Sequence, residues 1–269
     1  MIRKLTPAIH DKVWGSPRTQ PWLENPEGRK IGEIWFAAPE TLPILVKLLF
    51  TSERISVQVH PNDVYAREQG HARGKTEMWH VLRADPDATV ALGLREPVTA
   101  ESLGEAALDG TIVDLLRWDR ASEGDTFFIP AGTIHAIGGG LALCEIQQFS
   151  DVTYRLFDYR RKPERPLHLA DSLAAAQLPP GENRRHAIPI GEGRELLAEC
   201  EYFRTEQLTV RGTAACPSMP QPAIYIAVAG EGHIDGEPFR AGEAWLALAG
   251  SPKITIESVS ATFVIARLP

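Results

Sequence analysis

The segment from Gly124 to His135 constrains the fold of this chain more than any other part of the sequence. It has the form G-x5-P-x-G-x2-H, with Pro130 and Gly132 at its fixed inner positions. The first glycine permits the turn that begins a strand, and Pro-x-Gly turns the chain where that strand ends. The segment therefore predicts two short strands, the second of which presents His135 to the interior of a β-barrel.

The rest of the chain is a succession of short apolar or alternating runs, separated by proline, glycine and charged residues. These runs lie at residues 34–37, 44–50, 55–60, 78–82, 88–94, 126–129, 141–147, 202–210, 223–230, 254–257 and 262–266. Many such runs at regular spacing indicate a mostly β protein built from jelly-roll barrels. We expect only a few short helices, near 97–118 and 167–177. Thr99 is expected to cap the first of them, and a second is expected over 112–118.

The stretch from Pro179 to Asn183 has the composition of a linker. It divides the chain into a first unit at 1–183 and a second unit at 184–269. The first unit contains the glycine–proline–histidine segment and the helical insertions. We therefore predict two barrels in tandem.

The second unit contains a degenerate counterpart of that segment. Residues 242–253 stand where the motif would recur, but Leu248 occupies the proline position and no histidine follows. The remaining histidine nearby, His233, is expected in a surface turn. The second barrel is accordingly predicted to hold no metal and to support the first one structurally.

Charge and cysteine content limit the classes of partner. The net charge of −7 and the pI near 5.7 argue against nucleic acid, which needs a positive face. The three cysteines show no metal-binding or disulfide spacing, which favours a reducing compartment. The sequence has neither a signal-peptide pattern nor an uncharged apolar run of about 18 residues. We expect a cytoplasmic protein that does not bind membranes, as a monomer or small homo-oligomer.

Four side chains are candidates for a metal site. Gln58 and His60 share one face of the run Val-Gln-Val-His, because side chains of a strand alternate. Two polar side chains on the inward face of an apolar strand need a partner, since unpaired buried polar groups are costly. Glu77 supplies a carboxylate, and Lys75 lies two residues before it, with the same phase. Together with His135, these donors suit Zn²⁺, with Mn²⁺, Co²⁺ and Fe²⁺ as alternatives.

The His135 segment resembles the second conserved motif of the cupins, whose fold is a double-stranded β-helix. Further segments narrow the resemblance to the type I mannose-6-phosphate isomerase family. They are Trp14-Gly, Ile31-Gly-Glu-Ile-Trp, residues 42–50, 55–63, 74–79 and 130–138, and the stretch from Glu145 to Arg155. Larger members insert a helical domain before the Pro-x-Gly-x-x-His segment. Only about 95–123 fills that gap here, so the chain resembles the compact bacterial form.

This resemblance implies an aldose–ketose isomerase that interconverts mannose 6-phosphate and fructose 6-phosphate through an enediol. It implies one zinc ion, with ligands that map onto Gln58, His60, Glu77 and His135. The active-site basic residues of the family map onto Lys75 and Arg155, and an active-site acid maps onto Glu145.

The sequence leaves several points open. The proton-transfer base is either Glu145 or a metal-bound hydroxide. The sequence does not decide which basic residue binds the substrate phosphate and which stabilises the enediolate charge. The candidates are Arg155, Lys75, Arg160, Arg161 and Lys162. Two other functions compete with isomerisation. One is an iron-dependent cupin dioxygenase, and the other is a sugar-binding cupin without catalysis.

Overall fold

The computed structural model describes residues 2–177 and 183–269. The predicted linker therefore lies largely outside the described residues. The first twelve strands are β1 (Ile2–Lys4), β2 (Ala8–Ser16), β3 (Ile31–Ala38), β4 (Leu42–Phe50), β5 (Val57–Val59), β6 (Glu77–Ala84), β7 (Thr89–Leu94), β8 (Leu116–Arg120), β9 (Thr126–Ile129), β10 (His135–Ile137), β11 (Leu141–Gln148) and β12 (Tyr154–Phe157). The other strands are β13 (Arg184–Arg185), β14 (Ile188–Gly191), β15 (Arg194–Glu199), β16 (Arg204–Cys216), β17 (Ala223–Ile234), β18 (Glu237–Arg240), β19 (Ala244–Ala247) and β20 (Ile254–Arg267).

The described helices are short: α1 (Asp63–Glu68), α2 (Ala100–Asp109), α3 (Ile112–Leu115) and α4 (Leu169–Ala175). Thr99 caps α2, since its hydroxyl accepts a hydrogen bond from the Ser102 amide at 3.1 Å. The helix predicted over 112–118 is wrong beyond Leu115, because residues 116–120 pair with β7 as strand β8. None of the described helices is long and apolar enough to span a membrane.

Three antiparallel sheets contain the strands. The seven-stranded sheet has the order β13-β9-β6-β11-β4-β3-β2, and the five-stranded sheet has the order β12-β5-β10-β7-β8. These two sheets face each other across an apolar interior that includes Trp79, Val90 and Phe127. This packing confirms the predicted mostly β, cupin-type fold.

The third sheet is eight-stranded and packs against the outer face of the seven-stranded one. Its strands run β1-β19-β17-β20-β16-β15-β14, with β18 added beside β17. Side chains such as Val46 and Leu48 meet Ile224 and Val264 across this second interface. Strand β4 is thus covered on both faces, which explains why its sequence is apolar apart from Lys47.

A buried carboxylate organises one end of the eight-stranded sheet. Glu206 is only 3% exposed and pairs with Arg204 at 2.7 Å, Arg194 at 3.2 Å and Arg267 at 3.3 Å. Burial by itself raises the pKa of Glu206, but the three arginines hold it below its ordinary value. Removing the charge would leave three guanidinium groups without their shared partner.

Glu206→Gln is therefore expected to lower the free energy of unfolding by about 2 kcal/mol at pH 7. Because the folded pKa lies below the ordinary value of 4.5, this contribution is present above pH 4.5 and fades as the pH falls through the folded pKa. Denaturant titrations at pH 7 and at lower pH measure it. Glu199→Gln is the control, since Glu199 also pairs with Arg204 but is exposed. An equal loss in both variants would contradict the prediction.

Candidate active site

The space between the seven-stranded and five-stranded sheets contains a cavity of about 250 Å³. Four of the side chains predicted from the sequence line it: Gln58, Lys75, Glu145 and Arg155. The other three, His60, Glu77 and His135, are at most 1% exposed. Strands from both sheets thus bring the predicted residues together around one interior space.

Two histidines and one glutamate form the centre of this site. One potential ligand atom from each of His60, Glu77 and His135 lies within 4.8 Å of the other two. The Nε2 atom of His60 is 3.5 Å from Glu77 Oε2, and that of His135 is 3.6 Å from Glu77 Oε1. The carboxylate therefore lies between the two imidazoles, one oxygen facing each ring.

Hydrogen bonds determine which imidazole nitrogens are available as ligands. The Nδ1 atom of His60 is 2.9 Å from the Val152 carbonyl, and Nδ1 of His135 is 2.8 Å from the Thr133 carbonyl. A carbonyl oxygen only accepts, so each Nδ1 carries the proton and each Nε2 presents a lone pair. Burial lowers the pKa of His60 well below its ordinary value and lowers the pKa of His135 to about 4. Both rings are therefore neutral near pH 7.

Gln58 extends the centre along strand β5. It lies opposite His135 in the register between β5 and β10, and its Nε2 is 3.2 Å from His135 Nε2. The amide oxygen of Gln58 instead accepts a hydrogen bond from the Ser56 hydroxyl at 3.2 Å. The side chain is therefore adjacent to the centre, with its nitrogen on the side where a metal ligand would need oxygen.

The residues present fit a divalent metal. The centre offers two neutral imidazole nitrogens and a carboxylate, which is a donor set that zinc commonly takes. Both oxygens of the buried Glu77 carboxylate face imidazole nitrogens, and Oε2 also meets the Lys75 ammonium, so the donor atoms converge on one small space. Each imidazole is also oriented by a carbonyl on its far nitrogen, as is usual for histidines that bind metals.

Alternating charges extend from this centre into the cavity. Lys75 Nζ lies 2.6 Å from Glu77 Oε2, 3.0 Å from His60 Nε2 and 3.8 Å from Glu145 Oε1. Lys47 Nζ lies 3.3 Å from the same Glu145 oxygen. Burial lowers the pKa of Lys75, but the carboxylates of Glu77 and Glu145 outweigh it and raise the pKa above its ordinary value. Burial and the neighbouring Glu77 raise the pKa of Glu145.

The cavity wall includes charged residues that the sequence did not single out: Lys12, Glu33, Lys47, Asp151 and Arg165. One signal was available for Lys47, which interrupts the apolar run of β4 and is only 2% exposed. A lysine is rarely buried unless it is paired, so its position indicated a partner inside the barrel. The others became recognisable only once the sheets were assembled.

Arg155 reaches the cavity from β12, whereas Glu145 lies on β11 of the other sheet. The chain between the two residues is not one continuous strand. Their even spacing in the sequence therefore does not by itself place them on one face. Arg155 donates from Nη1 to the Pro166 carbonyl at 2.7 Å, while its buried Nε has no partner. Arg160, Arg161 and Lys162, which the sequence left as alternatives, do not line the cavity.

In the C-terminal part of the chain, the residues that the sequence analysis considered are His233 and Leu248. His233 lies within strand β17, paired with Pro238 and Glu257, so its predicted position in a turn is wrong. Leu248 follows β19 and is partly exposed.

Among residues 2–177 and 183–269, the group of His60, Glu77 and His135 is the one set placed to hold a metal. A β-barrel with such a centre defines a cupin-type protein with a metal-binding interior.

Comparisons with known proteins identify the family. No family model matches the chain. The mannose-6-phosphate isomerase ManA of Bacillus subtilis is 35% identical over 239 residues, which cover 84% of this chain and 75% of that protein. This chain belongs to the mannose-6-phosphate isomerase family.

Solved structures agree in fold. A mannose 6-phosphate isomerase from Bacillus subtilis superposes with a TM-score of 0.89 at 26% identity, covering 98% of this chain and 99% of that one. A zinc-bound mannose 6-phosphate isomerase has a TM-score of 0.78 at 16% identity, covering 99% of both chains. At that identity the second likeness concerns the fold alone.

Proposed function

We propose that this protein interconverts mannose 6-phosphate and fructose 6-phosphate. The observation that carries the proposal is the interior cavity in which the His60–Glu77–His135 group adjoins Lys75, Glu145 and further charged side chains. The reaction moves one proton between C2 and C1 and another between the two oxygens, so that no external reactant is needed. A site for it must hold a sugar phosphate, move a proton at carbon and stabilise negative charge.

We propose that His60, Glu77 and His135 hold zinc, with Gln58 as a fourth ligand. Zinc would polarise the sugar oxygens at C1 and C2 and stabilise the charge that develops on them. Ligation by Gln58 requires its amide to present oxygen, which a rotation of the amide group would achieve. Lys75 would then provide a cation beside Glu77 and the substrate oxygens.

Glu145 is our candidate for the base that removes the proton from carbon. Its Oε1 has no hydrogen bond and lies near the ammonium groups of Lys47 and Lys75, which both line the cavity. Burial raises its pKa, which makes the carboxylate a stronger base than an exposed glutamate. The charges of Lys75 and Lys47 oppose that rise, since they favour the ionised carboxylate.

Arg155 and Arg165 are the candidates for binding the anionic parts of the substrate. Arg165 is already held by two hydrogen bonds to Asp158, which reduces its free positive charge. Arg155 pairs in register with Gln58 and is thus close to the proposed ligands. We propose that Arg155 stabilises the enediolate. Lys12 and Arg165, which also line the cavity, are proposed to bind the phosphate. We further propose that the protein works in the cytoplasm, as a monomer or small homo-oligomer.

Residues 184–269 are proposed to form a metal-free barrel that supports the first. The packing of β17, β19 and β20 on the seven-stranded sheet supports this role. Because β1 pairs with β19, the N-terminal strand belongs to that supporting sheet as well.

Turnover of a panel of sugar phosphates by the zinc-loaded protein tests the proposed reaction. We expect conversion of mannose 6-phosphate to fructose 6-phosphate, with solvent deuterium incorporated at carbon during the reaction. Binding without turnover would instead support a sugar-binding cupin. Iron-dependent oxygen consumption would support a dioxygenase, and a strong preference for another sugar phosphate would change the substrate.

A further inference from the structure

Trp79 and Glu145 face each other across two neighbouring strands at the cavity. They are direct partners in the register between β6 and β11, so their side chains point to the same side of the sheet. The indole Nε1 of Trp79 donates to Glu145 Oε2 at 3.0 Å. Trp79 is fully buried and Glu145 is 3% exposed.

The two oxygens of Glu145 therefore have different environments. Oε2 is held by the indole N–H, whereas Oε1 has no hydrogen bond and lies near Lys47 and Lys75. Ammonium groups at 3.3 and 3.8 Å attract the carboxylate but do not define its rotation. The indole N–H is a single donor on a rigid ring, so it defines which oxygen is turned away from the cavity.

The same indole contacts the metal-binding centre. Its ring meets the ring of His135 edge to face, with centroids 5.5 Å apart and planes at 70°. One buried side chain thus touches both the carboxylate proposed as base and a proposed zinc ligand. A buried indole N–H needs an acceptor, and a backbone carbonyl serves that need for Trp22. For Trp79 the acceptor is instead the carboxylate proposed as base.

We propose that Trp79 is a positioning residue, which orients Glu145 so that Oε1 faces the substrate carbon. This inference rests on the proposed isomerase function. Loss of the N–H would allow the carboxylate to rotate and would remove a donor that stabilises its ionised form. The effect should fall on the proton transfer and leave substrate binding nearly unchanged.

Two substitutions separate the N–H from the bulk of the ring. Trp79→Phe keeps most of the apolar packing and removes the donor. Trp79→His keeps a ring nitrogen at the equivalent position and removes the six-membered ring. Trp22→Phe is the matched control, because its Nε1 is also buried and donates to the Val228 carbonyl at 2.7 Å, away from the cavity.

Steady-state kinetics, zinc content and thermal unfolding are measured for all three zinc-loaded variants. Trp79→Phe is expected to lower kcat by about 10- to 100-fold, with KM within threefold and zinc content unchanged. Trp79→His is expected to retain more of kcat than Trp79→Phe, although it is less stable. Trp22→Phe is expected to lose stability and keep its kcat.

A double-mutant cycle tests whether Trp79 acts through Glu145. In a Glu145→Ala background, Trp79→Phe should have little further effect on kcat. An undiminished effect in that background would overturn the proposal, as would a Trp79→Phe enzyme with kcat within twofold of the parent. Loss of zinc or of the folded state in Trp79→Phe would assign the residue to the core and also overturn it. Absence of turnover in the unsubstituted protein would instead reject the isomerase function itself.

Discussion

The isolated protein is expected to carry about one equivalent of zinc per chain, and chelation of that zinc is expected to abolish turnover. The physical reason is the buried centre of His60, Glu77 and His135, in which two neutral imidazole nitrogens and a carboxylate converge. Without the ion, the charge of the enediolate would have to be stabilised by side chains alone. Zinc reloading should restore the activity, and elemental analysis measures the content.

His135→Ala is expected to lose the metal and, with it, all measurable turnover. His135 is fully buried, and its Nδ1 is already committed to the Thr133 carbonyl, so Nε2 is the ligand atom that the substitution removes. Zinc stabilises the folded protein only to the extent that the folded protein binds zinc. Zinc should therefore raise the melting temperature of the parent protein and leave that of His135→Ala unchanged.

His80→Ala is the matched control for this experiment. His80 is also buried, and burial lowers its pKa to about 4, but its Nδ1 is 3.0 Å from the Thr126 hydroxyl, outside the cavity. This variant should keep its zinc and its response to zinc, with some loss of stability. Full activity in a verified metal-free sample, or normal zinc content in His135→Ala, would contradict the proposed site.

Arg155→Ala is expected to lower kcat by about 10²–10³-fold while KM for mannose 6-phosphate stays within a few-fold. Arg155 lines the cavity opposite Glu145 and pairs in register with Gln58, and its buried Nε has no protein partner. A charged donor placed there would stabilise the enediolate more than the bound sugar. Arg155→Lys should recover only part of kcat, because an ammonium group lacks the planar fork of guanidinium.

Arg160→Ala is the control for loss of an arginine in the same region. The guanidinium of Arg160 donates to the Asp109 carbonyl at 2.8 Å and does not line the cavity, so both kinetic constants should be retained. A normal kcat with a much higher KM in Arg155→Ala would instead assign Arg155 to the phosphate. Lys75 would then be the stronger candidate for stabilising the enediolate. Zinc content must be equal in all variants for this comparison.

Much of the candidate site could be predicted from short stretches of sequence, because the signals are local. The turn residues around Pro130 place His135 at the start of a strand, and strand alternation gives Gln58 and His60 one direction. Glu77 and Lys75 follow from the same period of two. The prediction of the family rested on several such segments in a specific order. It was confirmed by a relative that is 35% identical over 239 residues.

Local signals were less informative about where elements end. The pattern at 112–118 is compatible with a helix, yet pairing with β7 turns residues 116–120 into strand β8. The two apolar runs at 254–257 and 262–266 are parts of one strand, β20, because β16 pairs with it along most of its length. Between those runs Val259 and Ser260 are exposed, so this part of the strand does not face the core and the sequence pattern is interrupted there.

The sequence by itself thus determined the mostly β fold and the side chains that meet at the metal-binding centre. Only the tertiary structure decided how that centre is completed. Trp79 and Glu145 are 66 residues apart, and His60 and the carbonyl that orients it are 92 apart. Such contacts depend on strand register between distant segments, and no local preference encodes them. For the same reason, the charged partners of Lys47 were visible only after the sheets had been assembled.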